Sequence, residues 1–204
     1  MRNLEVKDLG LIEYHEALRL MTATTQQKKG DEIDEVWLAE HNPVYTLGHA
    51  AKEENIFFKN DIPIIRSDRG GQVTYHGHGQ LMIYFLLNLR RLRWGPKKLI
   101  CELEQLIIDL LSRYGISSKR ISGAPGIYVE NKKIASVGLK ITKGHCYHGI
   151  SLNVDMDTKP FENIITCGIE SLEVTQVSDI ADISMNQIKF DLIKILKLRN
   201  SEAA

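Results

Sequence analysis

At positions 69–89 the chain reads Arg69-Gly-Gly-Gln-Val-Thr-Tyr-His-Gly-His-Gly-Gln80 and then Leu81 to Leu89, so a glycine-rich segment leads directly into an apolar one. The short, bounded apolar run predicts a buried strand. Four of the chain's 15 glycines fall within the 12 residues before it. Glycine lets the main chain approach another molecule closely because it has no Cβ. The pattern therefore predicts a ligand-binding loop that a rigid strand holds in place.

A plain glycine-rich turn between two strands is the alternative for this segment. Five hydrogen-bonding side chains interleaved with the glycines weigh against it: Arg69, Gln72, Thr74, His76 and Gln80. No Gly-Lys-Ser/Thr follows, so the segment is not a P-loop. It opens a strand and not a helix, which excludes a dinucleotide-binding turn. From the residues alone, the prediction is a pocket lined by backbone.

Outward from this segment, alternating and apolar patterns predict strands, and helical spacing predicts three helices. Gly95-Pro96 opens the clearest helix, with Gly115 after its end, and Ser184 is a candidate cap for the last one. The predicted helices are Ile12 to Lys28, Pro96 to Tyr114 and Ser184 to Leu198. The other predicted strands are Leu4 to Leu9, Glu35 to Glu40, Val44 to Leu47, Asn55 to Ile65 (with a turn at 59–61), Ile127 to Val129, Lys133 to Ile141 and Tyr147 to Val154. Strands in the middle and helices near both ends predict an α+β fold on a mainly antiparallel sheet, in a single domain over residues 1–204.

The composition of the 204 residues limits the classes of function. Lys and Arg number 26, as do Asp and Glu, so the chain lacks the basic excess that is typical of nucleic-acid binders. No apolar run approaches the roughly 20 residues that a membrane-spanning helix needs. The first residues, Met1 to Asp8, lack the apolar stretch of a signal peptide. We expect a cytoplasmic protein without nucleic-acid or membrane partners.

Three cysteines cannot all pair within one chain, and in a reducing compartment each is a filler, a ligand or a reactive thiol. Cys101 lies beside the apolar face of its helix, so we expect a buried structural thiol. Cys146 stands between His145 and His148, but this is not a standard zinc-ligand spacing, and we expect no metal. Cys167, in a predicted loop and followed by glycine, fits a structural and a catalytic role equally well on composition.

Six sequence blocks resemble those of the octanoyltransferases, the lipoyl(octanoyl) transferases that begin protein lipoylation. They occur in the family's order and cover most of residues 1–180, and the run from Asp68 to Gly77 is the most specific. The blocks are Glu40 to Gly48, Ser67 to Gln80, Ala124 to Val129, Lys132 to Lys140, His148 to Val154 and Cys167-Gly168. The resemblance implies a fold similar to the catalytic domain of biotin and lipoate protein ligases.

The resemblance also implies a mechanism, in which the octanoyl group arrives as a thioester on acyl carrier protein. An enzyme thiolate takes it as an acyl-enzyme, and a lysine amine of an acceptor then receives it as an amide. The implied acceptors are the lipoyl domains of 2-oxoacid dehydrogenases and the H protein of glycine cleavage. No cofactor is implied. By position, Cys167 is the nucleophile and Lys133 its partner, first as a cation beside the thiolate and then as a general base.

The substrate-binding residues follow from the same matched blocks. They are Arg69, Gly70, Gly71, Gln72, Val73, Thr74, Tyr75, His76, Ser136, Val137, Gly138, His148, Gly149, Ile150 and Ser151. The glycine-rich loop and the strand from Leu81 are expected to line a slot for the octanoyl chain, with Tyr75 and His76 at its mouth. For His76, a structural histidine with satisfied hydrogen bonds is an equally good interpretation.

The sequence departs from the family's pattern at two positions next to these residues. Thr166 precedes Cys167, and His78 follows Gly77, where family members often have proline. Proline fixes φ, so its loss is expected to loosen both loops without removing a chemical group that the mechanism uses.

Arg90 to Lys98 carries five positive charges and no acid, although the whole chain is neutral. Acyl carrier proteins are acidic, so this stretch is a hypothetical docking surface for the donor. A solvated basic loop is the alternative.

Three other functions remain open from the sequence. One is a lipoate- or biotin-ligase-type enzyme, which activates a free acid with ATP and needs no cysteine. Another is a non-catalytic module that binds lipoyl or carrier domains. A zinc protein that uses His145, Cys146 and His148 is the third.

Overall fold

A computed structural model describes residues 4–28, 33–57, 61–165 and 173–202. The strands within these ranges are β1 (Leu4–Leu11), β2 (Asp34–Glu40), β3 (Val44–Leu47), β4 (Ile64–Arg66), β5 (Val73–His76), β6 (Gln80–Asn88), β7 (Lys119–Ile121), β8 (Ala124–Val129), β9 (Lys132–Thr142) and β10 (His145–Asn153). The helices are α1 (Tyr14–Gln27), α2 (Leu89–Leu92), α3 (Pro96–Ser112) and α4 (Met185–Glu202). None of these described helices is both long and apolar enough to cross a membrane.

Two sheets organise the described part of the chain. The larger has the strand order β1-β2-β6-β10-β9-β8-β7, and the smaller has the order β4-β3-β5. In the larger sheet β1 and β2 pair in parallel, and every other neighbouring pair is antiparallel. In the smaller sheet β3 pairs in parallel with β4 and antiparallel with β5. The predicted α+β fold with a mixed, mainly antiparallel sheet is confirmed.

Strand β6 is apolar from Leu81 to Leu87 because both of its faces are covered. Its odd-numbered residues, such as Ile83 and Phe85, belong to the main core that α3 and α4 help to form. Its even-numbered residues, such as Met82 and Tyr84, pack with α1 in a second core. Successive side chains of a strand point to opposite faces, so a strand between two cores has no position for a solvated residue. This central strand sets the position of the glycine-rich segment that precedes it.

The predicted helix ends agree with the structure to within a few residues. Pro96 occupies the first turn of α3 after Gly95, and Gly115, with φ of 75°, follows the helix end. The hydroxyl of Ser184 accepts a hydrogen bond from the Gln187 amide at 3.2 Å, so it caps α4 as predicted.

Three local predictions were wrong or incomplete. The expected strand-rich segment from Asn55 to Ile65 contains, in its described part, an isolated bridge at Ile56 and then β4. Edge strand β7 was missed because its three residues are exposed and show no apolar alternation. The thiol of Cys101, expected to be buried, belongs to an exposed residue on α3. It stands beside the apolar stripe of the helix and not within it, which the helical spacing alone did not resolve.

Candidate active site

One cavity gathers most of the predicted binding residues between the glycine-rich segment and strands β6, β9 and β10. Its volume is about 50 Å³. Twelve of the fifteen predicted substrate-binding residues line it: Arg69, Gly71, Gln72, Val73, Thr74, His76, Ser136, Val137, Gly138, His148, Gly149 and Ser151. Their binding role stays a prediction, but residues from three distant parts of the sequence meet here.

The other three predicted binding residues lie outside this cavity lining. Tyr75 packs in the core of the smaller sheet, where its ring contacts those of Tyr45 and Phe161. Ile150 belongs to the main core. The Gly70 amide donates to the Leu139 carbonyl at 2.8 Å and joins the loop to β9. Of the two residues expected at the mouth, only His76 therefore reaches the cavity.

The loop lies close to the sheet because two strand positions lack a Cβ. A Cβ on Gly149 would lie 1.9 Å from the Ile83 carbonyl oxygen, a contact that only a backbone shift could relieve. A Cβ on Gly138 would lie 3.0 Å from Cδ of Arg69. These glycines allow β9 and β10 to approach their neighbours, and larger side chains there would fill the space beside the loop.

Arg69 holds the loop in shape through hydrogen bonds to main-chain and hydroxyl oxygens. Its guanidinium donates to the Thr46 carbonyl at 2.7 Å, the Thr46 hydroxyl at 2.8 Å and the Gln72 carbonyl at 2.8 Å. It also donates to the Gly70 carbonyl at 3.0 Å. The residue is buried, and a charged donor in such surroundings forms strong hydrogen bonds. Its guanidinium thus ties the loop to β3, besides lining the cavity.

His76 lies below the loop, and both of its ring nitrogens are hydrogen-bonded. Nδ1 donates to Oε1 of Gln80 at 2.7 Å, and Nε2 accepts from the Thr46 hydroxyl at 3.2 Å. The Gln80 amide nitrogen donates to Oδ1 of Asn153, which orients Gln80 as an acceptor towards the ring. Burial, with His41 and Arg69 nearby, lowers the pKa of His76 well below its ordinary value. These contacts favour a neutral histidine that supports the loop.

Asp68 connects the loop to β10. It accepts hydrogen bonds from Nε2 of His148 at 2.8 Å and from the Tyr147 hydroxyl. The His148 contact is the main cause that lowers the pKa of Asp68 to about 2. Burial lowers the pKa of His148 itself and outweighs the effect of Asp68. At neutral pH the pair is therefore a neutral imidazole donating to a carboxylate, and this fixes the His148 ring at the cavity wall.

Lys133 is almost completely buried at the start of β9, and its ammonium donates to the Pro125 carbonyl at 3.1 Å. The ammonium also lies 5.2 Å from the centre of the Tyr128 ring. Its neighbour Lys132 is exposed and pairs with Glu173 at 3.0 Å, so the two lysines point to opposite faces of the strand. Lys133 does not line the cavity. It precedes Ser136 by three residues, about 10 Å along the strand.

The main chain of Lys133 pairs with the segment that follows residue 172. Its amide donates to the Glu173 carbonyl at 2.8 Å, and its carbonyl accepts from the Thr175 amide at 3.0 Å. The other predicted catalytic residue, Cys167, lies outside the described residues, as does Thr166 before it.

Three further residues line the cavity: Tyr14, which sequence reasoning missed, and Met82 and Tyr84, which belong to the strand from Leu81 that was expected to line it but were not named individually. The Tyr14 and Ser67 hydroxyls share a hydrogen bond of 2.7 Å, and Tyr84 donates to Nε2 of His41. Burial raises the pKa of both tyrosine hydroxyls, so they stay neutral donors at ordinary pH. Met82 and Tyr84 lie in an apolar run, where the sequence does not distinguish a residue that lines a cavity from one that fills the core.

The Cys146 region provides no ligand cluster for a metal. Among the described residues, no three His, Cys, Asp or Glu side chains are grouped to hold an ion. The Cys146 thiol is buried and bonds to the Phe85 carbonyl at 3.4 Å. Burial raises the pKa of this thiol to about 12, so it is a neutral thiol at neutral pH in this structure.

The fold places the chain in the class of lipoate- and biotin-ligase catalytic domains. The crystal structure of lipoate-protein ligase A bound with ATP superimposes with a TM-score of 0.81, at 16% identity, over 95% of this chain and 83% of that one. The biotin protein ligase from Aquifex aeolicus superimposes with a TM-score of 0.56, at 13% identity, over 99% of this chain and 71% of that one.

The sequence comparisons are more specific than the fold. The family model described as "Lipoyl protein ligase A/B catalytic domain" matches residues 13–197. The octanoyltransferase of Vibrio atlanticus (strain LGP32) is 48% identical over 87% of this chain and 81% of its own length. That of Cellvibrio japonicus (strain Ueda107) is 50% identical over 87% of this chain and 82% of its own length. The chain belongs to the octanoyltransferase family within the lipoyl protein ligase A/B catalytic domains, and it is an acyltransferase.

The buried histidines predict a pH dependence of stability. The pKa values of His41, His76 and His148 are lowered in the folded chain, with burial as the main cause. As the pH falls below about 6.5, the unfolded chain takes up protons that the folded chain does not, so the free energy of unfolding decreases. We expect His76→Gln to reduce this slope by up to about 1.4 kcal/mol per pH unit between pH 6.5 and 5.

Urea unfolding at pH 7, 6 and 5 measures this slope. The matched control is His15→Gln, since His15 lies on the exposed face of α1 and should leave the wild-type slope in place. An equal slope in His76→Gln and wild type would show that the His76 ring takes up its proton in the folded state as well.

Proposed function

We propose that this chain, as a single catalytic domain over residues 1–204, transfers an octanoyl group from octanoyl-acyl carrier protein to a lysine of lipoyl domains. The group passes through a thioester on Cys167. The observation that carries the proposal is the 48% identity with the Vibrio atlanticus octanoyltransferase over 177 residues. The acceptors we propose are the lipoyl domains of 2-oxoacid dehydrogenases and the H protein of glycine cleavage.

The chemistry of the two steps supports this route. Exchange of one thioester for another is close to thermoneutral, so the first step needs no ATP, and amide formation favours the second. A cysteine with an ordinary pKa of about 8.5 is only a few per cent thiolate at pH 7. An ammonium about 4 Å away, at an effective dielectric near 20, stabilises a thiolate by about 4 kcal/mol at most. Even half of this would make the thiolate the main form at pH 7.

The described chain around Lys133 is compatible with this pairing. Cys167 precedes Glu173 by six residues, and Glu173 is hydrogen-bonded to the Lys133 main chain. Six extended residues span at most about 20 Å, so the sequence separation allows Cys167 to lie in the neighbourhood of Lys133. After acylation removes the thiolate charge, Lys133 becomes the general base towards the acceptor amine.

The cavity beside the glycine-rich loop is the proposed place for the acyl chain. It is walled by the apolar side chains of Val73, Met82 and Val137, with the loop held by Arg69. About 50 Å³ is room for a few water molecules only, so an octanoyl chain has to displace the side chains around it. We expect binding to be accompanied by a local widening between the loop and β9.

The experiment that tests the function compares two acyl sources for one acceptor. The chain is incubated with a lipoyl domain and either octanoyl-acyl carrier protein or octanoate with ATP, and the acceptor mass and AMP are measured. We expect an octanoylated acceptor from the carrier-bound donor alone, without AMP. AMP formation from octanoate would favour a ligase, and no product from either source would favour a non-catalytic binding module.

The basic stretch at 90–98 is the proposed docking surface for the acidic carrier, with one correction to its extent. Arg91 pairs with the fully buried Asp34 at 2.7 Å and is a structural residue. Arg93 and Lys97 are exposed and remain available to a partner. We expect the double variant Arg93→Glu/Lys97→Glu to raise KM for the carrier-bound donor roughly tenfold at low salt, with kcat little changed.

Steady-state kinetics at low and high salt check this expectation. The control is Lys119→Glu, which reverses an exposed charge on β7 at the far edge of the larger sheet. Equal KM values for the double variant and this control would place the docking surface elsewhere.

A further inference from the structure

A second, larger cavity lies between the end of α1 and the turn that joins β9 to β10. Its volume is about 560 Å³, within the range of small-molecule sites. It is lined by Thr22, Thr25, Gln26, Lys28, Arg90, Thr142, Lys143, His145 and Tyr147. None of these residues belongs to the predicted substrate-binding set, and the proposed mechanism uses none of them.

The lining of this cavity is positively charged. Lys28, Arg90 and Lys143 contribute cationic side chains, and no lining residue in the described part of the chain carries a carboxylate. The side chain of Lys28 is 5% exposed, and its ammonium already donates to the Ile33 and Leu86 carbonyls, at 2.5 and 3.3 Å, while Glu35 lies 3.5 Å from it. Arg90 and Lys143 are exposed and form no ion pair with a described residue. The cavity therefore has a net positive charge, which favours an anionic ligand.

Two residues that line this cavity each contain a buried polar atom without a hydrogen-bond partner among the described residues. These atoms are the Thr25 hydroxyl and Nε2 of His145. Thr25 is 4% exposed and His145 is 8% exposed. Buried side-chain polar atoms in proteins are normally hydrogen-bonded, so two such atoms in residues that line one cavity indicate a polar ligand. A hydroxyl and an imidazole N–H both donate to an anionic oxygen.

We propose that this cavity binds a phosphate ester. Arg90 and Lys143 line it with cationic side chains that form no ion pair with a described residue, and arginine and lysine are the usual protein partners of phosphate oxygens. The unpartnered Thr25 hydroxyl and His145 ring supply two further contacts, and the remaining volume accommodates the organic part of the ester. A small monovalent anion would leave most of these donors and most of the space unused.

The second cavity is joined to the first by α1 and by Tyr147. Tyr14 lines the first cavity and Thr25 the second, eleven residues apart, which is about 16 Å along a helix. Tyr147 lines the second cavity and donates to Asp68, which also holds His148 at the wall of the first. Resting on the proposed function, the phosphate ester is either part of the arm that carries the octanoyl donor or a separate small metabolite.

Calorimetric titration of the full chain tests the site without relying on octanoyl transfer. The probes are 4′-phosphopantetheine and pantetheine, which differ in the phosphate alone, and inorganic phosphate. We expect the phosphorylated probe to bind at least tenfold more tightly than pantetheine. Arg90→Gln/Lys143→Asn should weaken its binding at least tenfold, and asparagine is chosen because residue 143 has φ of 48°.

A second variant tests whether misfolding accounts for a loss of affinity for the phosphorylated probe. Thr25→Val removes the unpartnered hydroxyl at nearly constant volume, so it should keep thermal stability and still lower the affinity for the phosphorylated probe severalfold. Lys119→Gln removes one exposed positive charge elsewhere and should leave the affinity unchanged. Equal affinity for both pantetheine probes, or an affinity that Arg90→Gln/Lys143→Asn leaves intact, would overturn the proposal.

Transfer kinetics then distinguish the two sources of the phosphate ester. If it belongs to the donor, Thr25→Val raises KM for octanoyl-acyl carrier protein, and 4′-phosphopantetheine competes with that donor. If it is a separate metabolite, the probe binds without competing. Both results support the phosphate site, and the binding data stand even if the chain proves to use another acyl donor.

Discussion

Cys167→Ser is expected to abolish octanoyl transfer, by at least about a thousandfold in kcat, and to eliminate the covalent octanoyl adduct. A serine hydroxyl is a far weaker nucleophile than a thiolate at neutral pH, and the nearby cation cannot ionise it to the same extent. Intact mass after exposure to octanoyl-acyl carrier protein measures the adduct, and transfer to a lipoyl domain measures turnover.

The other two cysteines make this experiment specific. Cys101 is exposed, so Cys101→Ser is the control for a thiol that reagents reach without catalytic consequence. Cys146 is buried, and its thiol has a pKa raised to about 12 by that burial, so it should not be acylated in the folded chain. An adduct that persists in Cys167→Ser and disappears in Cys101→Ser would identify Cys101 as the acylated thiol and refute this prediction.

Lys133→Met is expected to raise the pH at which iodoacetamide alkylates Cys167 by at least about one unit, and to lower kcat roughly a hundredfold or more. In the proposed mechanism, Lys133 is the cation that stabilises the thiolate and the base that receives the amine proton, and the variant removes both. Methionine is preferred to alanine because Lys133 is 1% exposed, and alanine would leave a cavity in the structure. The measurement is the alkylation rate against pH, in a Cys101→Ser background so that the exposed thiol does not contribute.

The adjacent lysine provides a matched control for this second prediction. Lys132→Met removes the same charge one residue away, where the side chain is exposed and pairs with Glu173 at the surface. Such a surface pair contributes little to stability, so the alkylation profile and kcat should both stay near the wild-type values. If Lys133→Met shifted the profile no further than Lys132→Met, the pairing of Lys133 with Cys167 would be refuted.

Local patterns predicted most elements of the fold because each pattern has a local physical cause. Pro96 and Gly115 mark the ends of α3 through their own φ preferences, and Ser184 caps α4 through its own hydroxyl. The segment around Asn55 to Ile65 and edge strand β7 were predicted poorly or missed. Strand β4 pairs with β3 from earlier in the chain, and β7 pairs with the next strand, β8; both are three-residue strands, and such short, largely exposed sequences carry little signal of their pairing.

Some parts of the candidate site were likewise predicted from the sequence, and others were not. The glycine-rich loop was apparent from composition, and the resemblance selected the residues of β9 and β10 that face it. Tyr14 and Asp68 were not predicted as parts of the site, although they line the cavity or orient its wall. The second cavity was not anticipated either, since its lining comes from the end of α1, from Arg90 and from the β9–β10 turn.

The amino-acid sequence by itself determined the family, the α+β class and the apolar central strand. These depend on short-range order along the chain: side-chain periodicity, turn chemistry and matched blocks. Only the tertiary structure decided that Arg69 ties the loop to β3, that Lys133 is buried against Pro125, and that Thr25 and His145 line a common cavity. Such relations depend on distances between residues far apart in sequence, and chain folding alone brings those residues together.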